Sequence, residues 1–285
     1  MNINKFQQLA IDHVNKLSKG PPIDRTLRVT LNFHPDRIKG SIHILESMLQ
    51  TGIYKSQFET GTSNGGLTAH PGGDRWQWES RIFGNAYDNS PSEDRPKYGS
   101  LNFKRSQFGG SPRFGSSYLR LKEAVIDRTT FCYPDSVFDP EAFGTAMHMS
   151  LIELAQADDK DLLDDYIEAQ VHGELLLVRD VEAIVLDPSH KNTIVEDLAY
   201  QLGIRVEWHD GFILLLEEMT KHPDYRGQKY IQIGKEISKG EILTPHIIGE
   251  AAATGKYDQQ DLKKVWHYLA RYGQKNTTTK LTESK

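Results

Sequence analysis

Strand-like and helix-like segments follow one another in this sequence in no regular order, and that order limits the possible folds. Residues 1–22 carry apolar side chains on one helical face before a Gly-Pro-Pro break. In the next segment Leu27, Val29, Leu31 and Phe33 alternate with polar residues, as in a half-buried strand. No regular strand–helix alternation of the kind that builds a doubly wound parallel sheet follows. The sequence therefore predicts an α+β fold.

The same patterns predict most of the remaining elements. Strands are expected over 53–60, 118–121, 129–133, 171–178, 181–186, 204–208 and 212–216. Helices are expected from a cap at Ser41 to Gly52 and over 140–170, 187–202 and 258–272. The strands 171–178 and 181–186 are expected to form a hairpin. These elements indicate an N-terminal helix over 1–22, a domain over 23–216, a partly helical extension over 217–272 and a disordered tail over 273–285.

Composition excludes several classes of protein. The net charge of −5 argues against a nucleic-acid-binding surface or a surface for anionic membranes. Cys132 is the only cysteine, so no internal disulfide can form and a reducing compartment is expected. The sequence has neither the apolar run of a signal peptide nor that of a membrane span. A soluble protein is expected.

A glycine-rich stretch over 58–75, FETGTSNGGLTAHPGGDR, holds five glycines and three threonines and cannot contribute to a core. Glycines let a backbone approach a ligand closely, and hydroxyls and N–H groups are good donors to anions. Thr62, Ser63, Asn64 and Gly65 are therefore predicted to contact a ligand. The stretch has neither the P-loop nor the dinucleotide-binding glycine pattern, and the alternative is a surface loop without a function.

Two further groups of residues can support chemistry. His34 and Arg37 follow the first predicted strand and are donors that suit a phosphate. The alternative is that Arg37 forms a surface ion pair and His34 caps the strand. In VHGELLLV, strand alternation places His172 and Glu174 on one face, where they can act as an acid–base pair or face solvent.

Other candidates are weaker. His34, His70 and Asp74 match no zinc-ligand spacing, so no metal site is predicted. Cys132 can be a thiol nucleophile, but a lone cysteine in an apolar strand is more often a small buried hydrophobe. Trp76 and Trp78 can line a pocket for a flat ring or belong to the core.

Long blocks of the sequence resemble a bacterial family of unknown function. They include FHPDR, YKSQFETGTSNGGLTAHPGGDRWQWESRIFG, GGSPRFGSSYLRLK, RTTFCYPDS and HGELLLVRDVEAIVLDPS, within residues 25–215. That family is in turn similar to divergent mono-ADP-ribosyltransferases of the bacterial toxin and effector kind. The resemblance implies an ADP-ribosyltransferase-like split mixed β-sheet with flanking helices as the core of the 23–216 domain.

Those enzymes carry an Arg or His on the first core strand, a Ser/Thr motif on the second and a late catalytic Glu. By resemblance, the first position falls on His34 or Arg37, and Arg28 competes for it. The Ser/Thr motif falls on Thr62 and Ser63, and the catalytic Glu falls on Glu174.

Two details of this correspondence stay open. Ser116 and Ser117 compete for the Ser/Thr motif. His172 stands where arginine-modifying members carry Glu or Gln two residues before the catalytic Glu, so the preference for arginine is open as well.

The resemblance implies that NAD is the co-substrate and that ADP-ribose is transferred to a side chain of a host or target protein, with arginine as the first expectation. It also implies an effector or toxin that is exported into another cell. The alternatives are a non-catalytic module that binds a nucleotide or a partner in the same cleft, and a hydrolase that uses His34 or His172 with a carboxylate.

Overall fold

The structure is a computed structural model that describes residues 3–40, 42–61 and 68–274 of the 285-residue chain. Its strands are β1 Val29–Phe33, β2 Ile38–Lys39, β3 Ile42–His43, β4 Lys97–Leu101, β5 Ser117–Leu121, β6 Thr129–Tyr133, β7 Ala142–Gly144, β8 Ile167–Val171, β9 Val181–Leu186, β10 Arg205–Trp208, β11 Leu214–Leu215 and β12 Ile242–Leu243.

Its α-helices are α1 Lys5–Leu17, α2 Ile44–Thr51, α3 Gln57–Thr60, α4 Asp74–Ile82, α5 Leu151–Ala157, α6 Leu177–Asp180, α7 Ile194–Gln201, α8 Leu216–Thr220, α9 Pro223–Arg226, α10 Gln228–Ile237, α11 Pro245–Ala253 and α12 Gln259–Tyr272. Short 3-10 helices join several of these elements, and one of them, Pro112–Phe114, lies beside the site described below.

Eight strands form one sheet in the order β10-β9-β5-β1-β4-β8-β6-β7. Neighbouring strands run antiparallel, except that β10 lies parallel to β9. The fold is therefore mixed α+β, with a large and mostly antiparallel sheet flanked by helices, which confirms the predicted class.

The two faces of the sheet differ in chemistry because successive side chains of a strand point to opposite sides. In β8, Ile167, Ala169 and Val171 belong to the main hydrophobic core, whereas Glu168 and Gln170 point the other way. We call these two sides the apolar face and the polar face. All five residues of β1 are buried, so the prediction of a half-buried first strand is wrong, because further chain covers both faces.

Two large hydrophobic clusters organise the chain. The first lies on the apolar face and draws its residues from Ile23 to Leu202. The second is formed mainly by residues between Phe212 and Ala270, together with Phe108 and Leu163. Trp266 of α12 is 1% exposed, and its indole N–H donates to the carbonyls of Pro112 and Arg113, each at 3.1 Å. Trp266 is thus one of the buried contacts between the helices after β10 and the rest of the chain.

Several predicted elements are confirmed. The first helix begins after Asn4, whose side chain caps it, and the last begins after Asp258, which caps α12 in the same way. The predicted strands over 118–121, 129–133 and 181–186 correspond to β5, β6 and β9. The predicted helix closed by Gly52 is α2, although Ser41, its expected cap, lies outside the described residues.

The strand predicted over 53–60 is wrong. Ser56 starts the short helix α3, because its hydroxyl accepts from the N–H of Glu59 and the Glu59 carboxylate accepts from the N–H of Ser56. This reciprocal pair satisfies two N–H groups that a helix start otherwise leaves open. Gly61 ends the helix at φ 59°. The glycine-rich stretch therefore begins within a helix, which Gly61 ends.

The helix predicted over 140–170 is mostly wrong, since the segment contains β7, α5 and β8. The strand predicted over 171–178 is also wrong, because β8 ends at Val171 and Gly173 turns the chain with φ 78°. Because α6 follows and β8 is not a neighbour of β9, the predicted hairpin does not form.

Along the described part of the chain, no helix is both long enough and apolar enough to cross a bilayer.

Candidate functional site

The polar face of the sheet carries a buried carboxylate at its centre. The strand register sets Glu168 of β8 between Ser100 of β4 and Cys132 of β6. The amide of Gln170 donates to the Oε1 atom of Glu168 at 2.9 Å and lies 3.2 Å from the Cys132 sulfur. Glu168 is 4% exposed, so protein atoms surround its carboxyl group. Its backbone belongs to strand β8.

A loop after β6 brings a second carboxylate to this position. The hydroxyl of Ser136 lies 2.8 Å from Oε2 of Glu168 and donates to it. Burial first, and then the neighbouring charge of Asp135, raise the pKa of Glu168 to about 7, although the Arg75 cation and the hydrogen bonds from Gln170 and Ser136 act in the opposite direction. The Glu168 carboxyl can therefore hold or release a proton near neutral pH, unlike an ordinary glutamate.

Asp135 is fixed by its own partners. The Tyr166 hydroxyl donates to Oδ2 of Asp135, and the Val137 N–H donates to Oδ1 at 2.8 Å. Asp135 is 8% exposed and lies directly before Ser136, so one short turn positions both groups next to Glu168.

Arg75, in the first turn of α4, supplies a positive charge to the site. Its Nη1 atom donates to the Ser136 hydroxyl at 3.1 Å, and its guanidinium lies 4.3 Å from the centre of the Tyr98 ring. Trp78 contacts the same guanidinium at 4.8 Å. A guanidinium stacked between two aromatic rings keeps a fixed orientation and can still offer donors to an anion.

A second buried network supports Tyr98. Its hydroxyl donates to Oε1 of Glu79 at 2.8 Å, and Arg95 forms an ion pair with the other Glu79 oxygen. Burial raises the pKa of Glu79, with Arg95 opposing it, and burial also raises the pKa of Tyr98 well above its usual range. A buried ion pair with satisfied partners restricts the positions of the groups around it.

The geometry permits proton transfer and stabilisation of positive charge. A carboxyl group with a pKa of about 7 can accept a proton from a bound nucleophile, and once ionised it can stabilise a developing cation. Asp135 provides a second negative charge next to it. Arg75 favours the ionised form of Glu168 and is positioned to contact an anionic part of a ligand.

The structure separates the two residues predicted to be catalytic. Glu174 is exposed on the turn after β8, and its backbone carbonyl accepts from Arg179 at 2.7 Å. His172 is fully buried, with Nδ1 at 2.6 Å from the Tyr87 hydroxyl and Nε2 at 2.8 Å from the Thr130 hydroxyl. Burial lowers the pKa of His172 to about 3, so the ring is neutral. The prediction that both share one strand face is wrong; their catalytic roles stay predictions.

His34 and Arg37, the predicted donors near the first strand, lie under and beside α12. The His34 ring is buried edge-on against Trp266 at 4.9 Å, and burial lowers its pKa well below the usual range. Arg37 donates to the side chain of Gln259. The competing Arg28 forms an ion pair with Glu182 at 2.9 Å, next to a surface cavity of about 320 Å³ that lies away from Glu168.

The predicted ligand contacts Thr62, Ser63, Asn64 and Gly65 lie outside the described residues. On the C-terminal side of that gap, the Thr68 hydroxyl accepts from the backbone N–H of Arg75 at 3.3 Å.

The two alternative serines lie elsewhere in the fold. The Ser116 carbonyl lies 2.7 Å from Nε2 of His209, and the Ser117 hydroxyl accepts from the N–H of Asp187. Neither of these contacts reaches Glu168.

The remaining candidates from the sequence are Cys132, the tryptophans Trp76 and Trp78, and possible metal ligands. Cys132 is buried and burial raises its thiol pKa well above the usual value, with Glu168 adding to the shift. Trp78 contacts Arg75, whereas Trp76 is half-buried. Within the described ranges, no three His, Cys, Asp or Glu side chains are grouped so that they could hold a metal ion.

Sequence reasoning missed Glu168, Asp135 and Arg75. A signal for the first was present, since Glu168, Gln170 and His172 recur at every second residue among Ile, Ala and Val. That period of two indicates a strand with one polar face, but the segment was interpreted as a helix.

Comparison with known proteins places the chain in a family. The model of a family described as protein of unknown function (DUF3626) matches residues 28–157 and 146–272, which together are most of the chain. The chain belongs to this family. It is also similar to the Gene 2 protein of Mycobacterium phage L5, with 26% identity over 182 residues, 55% of this chain and 66% of the phage protein. That match spans just under two thirds of the phage protein's length.

Proposed function

We propose that this protein is an NAD-dependent mono-ADP-ribosyltransferase that modifies a protein side chain and uses Glu168 as its catalytic carboxylate. The observation that carries the proposal is the Glu168 carboxyl on the polar face, buried beside Asp135 and Arg75, with a pKa of about 7. The large mixed sheet and the sequence resemblance to ADP-ribosyltransferases support the same conclusion.

The reaction requires little covalent chemistry from the protein. The bond between C1′ of the ribose and the nicotinamide nitrogen breaks, and nicotinamide leaves as a neutral molecule with the bonding electron pair. C1′ then resembles an oxocarbenium ion, as in glycoside hydrolysis, and a nearby carboxylate stabilises it. The acceptor nucleophile forms the new bond to C1′ and gives its proton to Glu168.

The surroundings of Glu168 suit both parts of that role. A pKa near 7 lets the group be ionised before reaction and lets it accept a proton afterwards. Ser136 and Gln170 hold its two oxygens in place from different sides. Positions 62–65 stay predicted contacts of NAD. The backbone N–H of Arg75 donates to the hydroxyl of Thr68, which follows that segment. We therefore propose that Arg75 contacts the same ligand.

Assigning the role to Glu168 changes the expectation for the acceptor. Tyr166 stands two residues before Glu168, where arginine-modifying enzymes of the resembling kind carry Glu or Gln. Arginine, the first expectation from the sequence, is therefore one acceptor to test among several. Action on a host protein after export stays a prediction.

The test measures nicotinamide release from NAD by the wild-type protein, by Glu168→Gln and by Glu174→Gln. The second variant is a matched control, because it makes the same chemical change at an exposed position six residues away in sequence. We expect Glu168→Gln to lower the rate about 10²–10³-fold, the cost of losing one preorganised transition-state group. Glu174→Gln should keep most of the wild-type rate.

Other outcomes have definite meanings. A loss confined to Glu174→Gln would return the role to Glu174 and contradict the proposal. Absence of nicotinamide release from wild type, together with NAD binding by calorimetry, would instead support the non-catalytic nucleotide-binding module.

A further inference from the structure

The charges of four cationic side chains act on the imidazole of His267 on α12, and their elements pack against one another. Arg113 comes from the 3-10 helix Pro112–Phe114, Arg226 from the end of α9, and Lys263 and Lys264 from α12 itself. All four are half-buried. We call these four residues with His267 the α12 cation cluster. Three separate elements converge on it, so the cluster is a product of the tertiary fold.

The charges in this cluster are close enough to affect one another. Burial first, and then Arg113, Arg226 and the two lysines, lower the pKa of His267 to about 2. Burial also lowers the pKa of Lys263 to about 8, with Arg113, Lys264, Arg37 and Arg226 adding to the shift. Such crowding of like charges is unfavourable in the protein alone.

Acidic groups among the described residues pair with part of this cluster. Asp164 forms an ion pair with Arg113. Asp161 pairs with Arg271 at 2.8 Å and also interacts with Arg226. Since the whole chain carries a net charge of −5, a local excess of cations does not follow from its composition.

The cluster also contains buried polar atoms without protein partners. His267 is fully buried, and neither of its ring nitrogens has a hydrogen-bond partner among the described residues. The same holds for Nε of Arg226 within these described ranges. Polar atoms left unpaired in this way are rare and costly, and a bound ligand is one arrangement that would satisfy them.

Contacts with neighbouring side chains hold Arg226 and the backbone of Arg113 in place. The backbone N–H of Arg226 donates to the Tyr268 hydroxyl at 3.2 Å, and its guanidinium lies 4.4 Å from the centre of the Tyr225 ring. The carbonyl of Arg113 accepts from the indole N–H of Trp266 at 3.1 Å. A preorganised set of donors loses less entropy when it binds an anion.

We infer that the α12 cation cluster binds a ligand that carries two linked phosphate groups. A diphosphate offers several negative charges and many acceptor oxygens to groups that come from three elements, and guanidinium groups bind phosphate in a bidentate manner. Phe114, next to Arg113, packs edge-on against Tyr166 at 5.5 Å, and the Tyr166 hydroxyl donates to Asp135, which lies beside Glu168. The cluster therefore adjoins the carboxylate site on the polar face.

This inference deepens the proposed function, since it assigns the diphosphate of NAD to named residues of the C-terminal helices, and it rests on that function for the identity of the natural ligand. Binding of diphosphate itself does not require that NAD be cleaved. The two claims can therefore fail separately.

The experiment is calorimetric titration of the full chain with inorganic pyrophosphate, inorganic phosphate and NAD. Wild type, Arg226→Gln and Lys263→Gln are compared with Lys239→Gln, a matched loss of charge at an exposed lysine that pairs with Glu250. We expect pyrophosphate to bind about tenfold or more weakly to the first two variants, as for loss of one charged hydrogen bond. Binding to Lys239→Gln should stay within about twofold of wild type, because exposed ion pairs contribute little.

A second readout does not depend on variants. Brief acylation of the wild-type protein followed by peptide mapping should show Lys263 protected by pyrophosphate and not by an equal concentration of phosphate. Absence of pyrophosphate binding and of this protection would overturn the inference, even if NAD is cleaved. Pyrophosphate binding that is lost in both variants, with no binding of NAD, would support the cluster and contradict the proposed function.

Discussion

The carboxylate site on the sheet and the α12 cation cluster differ in how completely the fold satisfies them. Each oxygen of the Glu168 carboxylate accepts a hydrogen bond from a fixed side chain. In the cluster, His267 and the Nε atom of Arg226 lack partners within the described residues. Among the described residues, both carboxylate oxygens of the first site have partners, whereas the second site contains buried polar atoms without partners. We therefore attribute chemistry to the first and ligand binding to the second.

The largest predicted effect comes from removing the packing of α12, which carries the second region, against the rest of the chain. Trp266→Ala should lower the free energy of unfolding by about 3–5 kcal/mol, the usual cost of deleting a large buried aromatic side chain. The substitution removes packing against His34 and Phe212 and the two bonds to backbone carbonyls. Urea denaturation measures the change.

Trp266→Phe is the control for that experiment, because it keeps an aromatic ring and loses the indole N–H. Its effect should be clearly smaller. Equal stability of Trp266→Ala and wild type would contradict the view that Trp266 is a main packing contact between α12 and the rest of the chain.

The next effect concerns the burial of Glu168. Because its pKa in the folded protein is raised from 4.5 to about 7, the folded state binds more protons than the unfolded state between these values. Wild-type stability therefore falls as pH rises through this window. Glu168→Gln should be more stable than wild type above pH 7, by up to about 3 kcal/mol at about 1.4 kcal/mol per pKa unit.

The stability difference should shrink as the pH is lowered, since a protonated Glu168 resembles glutamine. Thermal or urea denaturation of both proteins across this pH range tests it. A difference that does not change with pH would mean that Glu168 titrates in the ordinary range.

A smaller change in stability is expected when the same substitution is made at each of two buried histidines. His172→Leu removes a ring whose two nitrogens bond to Tyr87 and Thr130, and it should destabilise the protein by about 1–3 kcal/mol. His267→Leu removes two unpartnered nitrogens among cations, and it should be neutral or stabilising by about 1 kcal/mol.

Denaturant midpoints in low salt without added anions measure both variants. If both substitutions destabilise equally, then His267 has partners in solution, and the contrast between the two regions would disappear.

The sequence predicted the fold class because its strongest signals are local. The one-sided apolar faces of α1 and α12 and the apolar run of β9 depend only on neighbouring residues. The length and position of α12 could be read directly from its apolar spacing. Such patterns indicate which face is buried, but they do not say what covers it.

The candidate site was harder to predict because it is assembled from distant segments. Ser136 is 32 residues from Glu168, and Arg75 is 61 residues from Ser136. Local patterns carry no information on such pairs. Glu174 is predicted to be catalytic partly because it is a charged residue in an apolar run. The sequence does not show that Gly173 turns the chain before this residue.

The most direct test is to measure the pKa of Glu168 by carboxyl ¹³C NMR. The Glu168→Gln variant assigns the signal. We expect one glutamate carboxyl that titrates near pH 7, is missing in the variant and shifts when an uncleavable carbocyclic analogue of NAD is added. A Glu168 signal that titrates at its ordinary value and does not respond to the analogue would contradict the proposed role of Glu168.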